Sequence, residues 1–142
     1  MRFNARWLPQ NLLFFAVSFA YLWLVVEPNL IYHCLGTILP GAPPFATGPA
    51  FLMDRLAIPG GGIAYAAGSL SQGYYHAWLG AAITVLMAVL LAELFRRHLA
   101  LTGVTRSACL TALPAIAFFL LYSRYLHPLS IGLTVIFALS LS

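Results

Sequence analysis

The sequence predicts an all-α, polytopic membrane protein with four hydrophobic spans, the last incomplete, and a helical hairpin at the outer membrane interface. Three observations predict it. Of 142 residues, 62% are hydrophobic and 7% charged, with a mean hydropathy of +0.92; soluble domains carry roughly 25% charged residues. The charges gather in a few places and leave long uncharged runs between them. Pro59 and the three glycines after it break an apolar stretch into two short amphipathic segments that suit the surface of a bilayer.

The first span covers residues 9–27. Its apolar run, Leu12 to Val26, reaches bilayer length when Trp7–Asn11 and Glu27 are included, and Pro9 is tolerated in a first turn. The run is rich in Phe, Trp and Leu, no small-residue cleavage site follows it, and it therefore reads as a retained signal anchor. Glu27-Pro28 ends it, because the residue before proline disfavours helix. Residues 28–75 form an outer loop. Its first part carries Gly36, Pro40, Gly41, Pro43 and Pro44, too many breakers for a regular span.

Two short interfacial helices are expected next, over 49–58 and 63–72. Thr47 or Gly48 caps the first, and Pro49 opens it. Phe51, Leu52, Leu56 and Ile58 give it an apolar face, with Asp54 and Arg55 between, as in a helix lying in the interface plane. Pro59, Gly60, Gly61 and Gly62 form the hinge, and Gly73 closes the second helix as a left-handed residue. The glycine run is not a phosphate-binding loop, since no strand precedes it and no Lys-Ser/Thr follows.

The second span covers 76–95. It is approached through Tyr74, Tyr75 and Trp78 and left at Arg96-Arg97-His98, before a polar turn containing Thr102, Gly103 and Arg106. The third span, 107–122, contains Pro114 and should kink there. The fourth, 128–142, is about 22 Å long as a helix, short of a hydrocarbon core of about 30 Å. It ends without a polar tail and reads as the front of a longer protein.

Orientation follows from the positive-inside rule. All seven basic residues are arginine. A cytoplasmic N-terminus places Arg2, Arg6, Arg96, Arg97 and Arg106 inside, leaving Arg55 and Arg124 outside. The net charge of +4 thus reads as topological, and no nucleic-acid partner is expected. Cys34 and Cys109 fall near opposite membrane faces, too far apart for a disulfide.

The stretch from Leu52 to Arg97 resembles an uncharacterised family of bacterial polytopic membrane proteins, a domain of unknown function. The matching residues are Pro59, Gly60, Gly61, Tyr65, Gln72, Tyr74, Tyr75, Trp78, Leu79 and Gly80, which open the second span in a Pro-Gly-Gly interfacial pattern. The resemblance implies a bacterial inner-membrane protein with further spans. It implies no activity.

Candidate site residues are few. Glu27, Asp54 and Glu93 are the only carboxylates. Glu93 precedes Arg96 and Arg97 by three and four residues, the spacing of a helix-surface ion pair. Glu27 and Asp54 are the candidate catalytic acids of a membrane glycosyltransferase using a lipid-linked sugar; the plainer reading makes Glu27 a helix-end residue and Asp54 the neutraliser of Arg55. His33, His76 and His127, with Cys34, would be the ligands of a transport or haem electron-transfer subunit, although histidines beside Tyr and Trp are ordinary interfacial residues. No cofactor or metal is expected. The reading that results is a non-catalytic, membrane-embedded N-terminal portion of a larger envelope protein. Its partners would be lipid, other membrane subunits or a missing C-terminal portion.

Overall fold

A computed structural model describes residues 7–28, 45–102, 108–124 and 127–141. The irregular loop expected over 29–44, with His33 and Cys34, lies outside them, as do Arg2, Arg6 and Arg106, and with them the Cys34–Cys109 separation. The described residues are all-α: six helices and no strand.

Helix α1 spans Trp7–Tyr21 and runs on into a wider π-helical turn, Leu22–Val26. Glu27 stops it by turning left-handed (φ 48°, ψ 74°), the only non-glycine residue among those described with positive φ. Pro28 follows and is fully buried. The end of α1 seats Leu22 and Val26 against Ala81, with Phe19, Val85 and Phe119 around them.

Helix α2, Pro49–Leu56, starts after an extended Gly48 with Pro49 in its first turn. It has no buried residue and lies against α3, Gly61–Ser71. Phe45, Phe51 and Tyr65 join the two through ring contacts of 5.2 to 6.2 Å between centroids. The break between α2 and α3 covers 57–60 and so comes two residues before the Pro59–Gly62 hinge expected from sequence. Gly60 alone adopts a left-handed conformation (φ 77°), while Gly61 and Gly62 are already helical. Gly61 must be glycine there because its backbone nests against the Arg55 carbonyl, leaving no room for a Cβ.

The chain leaves α3 through a 3₁₀ turn, Gln72–Tyr75, and an extended His76. Gly73 is therefore not the left-handed stop that its position suggested. Its φ is not positive, and the missing side chain serves packing instead, since a Cβ there would collide with Ile83. Helix α4, Ala77–Leu101, is 25 residues and about 37 Å long. It runs past Arg96-Arg97-His98, where sequence placed its end, because nothing breaks the helix before Thr102. Helix α5, Ala108–Tyr122, has Pro114 in its interior, and α6 spans Leu129–Leu141.

Helix α4 is the hub. It packs on α1, α5, α6 and the 3₁₀ turn, and α3 lies along α6. The second helix of the hairpin is thus part of the bundle rather than laid apart from it. Ala88, Ala92 and Ala115 are fully buried where helices meet, beside Met87, Phe118 and Tyr122. Alanine faces let helices approach closely. The outward faces are apolar as well: Leu13, Leu24, Leu86 and Leu120 are 60–77% exposed. Among the described helices, α4 is the one long and apolar enough by itself to cross a membrane.

Candidate functional site

Two buried tyrosines tie the helix ends together. Thr84, one turn after Gly80, donates its hydroxyl hydrogen to the Gly80 carbonyl at 2.9 Å. The Tyr74 hydroxyl, 2.6 Å from Thr84 Oγ1, is then the donor to that oxygen. Gly80 has no side chain to obstruct this: a Cβ would stand 2.9 Å from Pro28 Cβ and 3.0 Å from Tyr74 Cδ1. The arrangement locks the end of α1, the 3₁₀ turn and the start of α4 into one knot. Burial pushes the Tyr74 phenol well above its usual value, and the Thr84 hydrogen bond opposes this only in part. The phenol serves as a tether between the 3₁₀ turn and α4.

Tyr122 does the same for α5 and α6. Its hydroxyl donates to the Pro128 carbonyl at 2.9 Å and accepts from the Gly132 N–H at 3.3 Å. That N–H belongs to the first turn of α6, which has no helical partner for its opening donors. Tyr122→Phe should cost about 1–2 kcal/mol, as loss of a cap or of a buried hydrogen bond does. The check is the denaturation midpoint of purified Tyr122→Phe protein beside wild type. Sequence reasoning passed over Tyr122 and Thr84. The signal was a polar residue inside an apolar run, but its partner ten residues away carries no local pattern.

The charged groups separate into two places. Near the end of α4, Glu93 accepts from Nε and Nη2 of Arg96 (2.8 and 2.7 Å) and from Nε of Arg97 at 3.1 Å. The Glu93 and Arg96 side chains are only 8% and 11% exposed. The expected spacing therefore produces an ion triad in which Glu93 and Arg96 are nearly buried and Arg97 is partly exposed.

On α2, Asp54 and Arg55 do not pair. The Arg55 guanidinium lies over the Phe51 ring, 5.0 Å from its centroid. Neighbouring residues on a helix point about 100° apart, whereas residues four apart share a face. Asp54 and Glu27 are both exposed and sit on different elements.

His76 is the exposed cap of α4, edge-on to the Tyr75 ring at 5.1 Å, and His127 is half-buried just before α6. Among the described residues no three His, Cys, Asp or Glu side chains gather closely enough to hold a metal ion.

Open apolar grooves lie between the helices. One, of about 510 Å³, is lined by Leu12, Phe15 and Phe19 of α1 and by Ala82, Val85 and Val89 of α4. Another of similar volume separates α4, α5 and α6 beside Phe95, Pro114 and Val135.

The described residues define an all-α bundle tied by buried tyrosines, with apolar grooves on its outside. Residues 4–142 match a family of unknown function (DUF6057), and the chain belongs to that family. Comparisons with curated proteins and with solved structures gave no match.

Proposed function

We propose that the chain is a polytopic, non-catalytic bundle of the bacterial inner membrane. In this reading α1, α4, α5 and α6 are its spans, the N-terminus is cytoplasmic, and the α2–α3 hairpin is on the outer side. The observation that carries it is the apolar outward face shared by these helices. Leu13, Leu24, Leu86, Leu120 and Phe137 all point away from the core at more than half exposure. Soluble monomers rarely expose contiguous apolar patches beyond a few hundred Å², whereas such surface is at rest against lipid tails.

Internal packing supports the same reading. The buried helix contacts are made by Ala81, Ala88, Ala92 and Ala115 with Gly80 and Gly132. Small residues of this kind bring helices together in lipid, where the hydrophobic effect gives no drive. The Glu93 triad falls at the cytoplasmic end of α4, beside the basic cluster that fixes orientation. Asp54, Arg55 and the Phe45–Phe51–Tyr65 rings then form a surface of the outer hairpin that suits the interface.

Alkaline carbonate washing of membranes from cells expressing the tagged chain tests integration. The chain should stay in the pellet and be released only by detergent. Release by carbonate alone would defeat the reading.

A further inference from the structure

Helices α1 and α5 both lie on α4 and touch each other where the Phe14 and Phe119 rings meet, 5.9 Å between centroids. Between them lies a pocket of about 230 Å³, smaller than the two grooves. Its α1 wall is Phe14, Ser18 and Tyr21, and its α5 wall is Ile116, Phe119 and Ser123. Spacings of three and four put each set on one side of its helix. The grooves are lined by apolar side chains, whereas this pocket adds three hydroxyls to its phenyl rings. Ser18 donates its hydroxyl hydrogen to the Phe14 carbonyl and Ser123 donates to the Leu120 carbonyl, at 2.8 Å each. Both serine oxygens keep their lone pairs and are left to accept. The Tyr21 hydroxyl, on a side chain 53% exposed, has no partner among the described residues and can donate as well as accept. None of the described residues lining the pocket is charged.

We propose that this pocket binds one uncharged aromatic ring bearing a hydroxyl, a ligand of the phenol class. An apolar cavity of about 150 Å³ accepts benzene, so about 230 Å³ admits a ring with its polar substituent. Phe14 and Phe119 offer the ring edge-to-face contacts. The ligand hydroxyl donates to Ser18 or Ser123 and accepts from Tyr21. A charged head would find no counter-charge in the lining, and a bare hydrocarbon would bring no donor to the serine oxygens. A ring carrying only carbonyl oxygens would have Tyr21 alone as a donor. The pocket stands apart from the membrane reading, which adds only direction: α1 and α5 then cross the bilayer the same way, with Tyr21 and Ser123 at the outer end. The ring belongs either to a free phenol or to the head of a tail-bearing lipid.

The test is fluorine-detected saturation-transfer NMR of 4-fluorophenol and fluorobenzene with the full chain in phospholipid nanodiscs, empty discs supplying the correction for partition into lipid. Wild type should bind 4-fluorophenol saturably and about fivefold more tightly than fluorobenzene, the worth of one hydrogen bond. Ser18→Ala with Ser123→Ala should erase that preference while leaving fluorobenzene binding within about twofold of wild type. Tyr21→Phe should lower the preference in part, and Ile116→Trp, which fills the pocket, should abolish binding of both rings. Competition by 4-dodecylphenol well below the concentration needed of 4-ethylphenol, after the same correction, would assign the ring to a lipid; equal competition would assign it to a free phenol. No saturable binding above the empty discs, equal affinity for the two rings, or an unchanged preference in the double serine variant would overturn the proposal. A chain that resists carbonate but binds neither ring loses this proposal alone. One that carbonate releases loses the membrane reading, and the same titration in plain buffer still decides the pocket.

Discussion

Glu93→Ala is expected to destabilise the bundle by about 3–5 kcal/mol, the cost of breaking a buried ion pair from one side. The carboxylate accepts three hydrogen bonds from two guanidiniums, and its side chain is 8% exposed. Removing it strands Arg96, itself 11% exposed, without a counter-charge. Arg97 loses less, being 37% exposed and able to reach water. The loss should therefore fall at the lower end of the range. Replacing both partners, Glu93→Leu with Arg96→Met, should recover most of it, because an apolar pair of similar size is often as stable as a buried ion pair. Denaturation midpoints of the three proteins in one detergent decide the matter. A single variant as stable as wild type would mean that Arg96 finds water unaided.

The three consecutive glycines should respond to alanine with three different outcomes. At Gly61 the new methyl group would overlap the Arg55 backbone carbonyl, which cannot swing aside as a side chain can. Forcing α2 and α3 apart there should cost about 3 kcal/mol, the upper part of the overpacking range. It should also weaken the Phe45–Phe51–Tyr65 ring contacts that depend on their closeness. Gly60→Ala meets no atom within 4 Å but holds φ at 77°, so about 1–2 kcal/mol of left-handed strain is its whole cost. Gly62→Ala touches only Leu56 Cδ2, at an ordinary 3.4 Å, in a helical position. It should stabilise by about 0.5–1 kcal/mol. Thermal unfolding of the three variants would give this order, and a damaging Gly62→Ala would contradict a break that ends at Gly60.

Much of the helical layout was legible because local chemistry sets it. Glu27-Pro28 stops α1, Gly48-Pro49 opens α2, and three- and four-residue spacing brings Arg96 and Arg97 onto Glu93. Local rules also misled where two of them competed. Gly73 looked like a helix stop but is a packing glycine, and charge attraction suggested Asp54–Arg55 where helix geometry favours Phe51. The knots at Tyr74–Thr84 and Tyr122–Gly132, and the packing of α3 along α6, join residues distant in sequence. No periodicity encodes such a meeting. Among the described residues, Tyr74, Thr84 and Tyr122 spend their buried hydroxyls on holding helices, and Glu27, Asp54 and His76 lie exposed on different elements.

Sidedness is the centre of the account, and single-cysteine labelling reaches it most directly. In a Cys34→Ser, Cys109→Ser background, Met53→Cys on exposed α2 and Thr102→Cys beyond α4 are treated in intact cells with a membrane-impermeant maleimide. The account predicts labelling of Met53→Cys in intact cells and of Thr102→Cys only after lysis. Labelling of Thr102→Cys alone in intact cells, or of both equally, would contradict it.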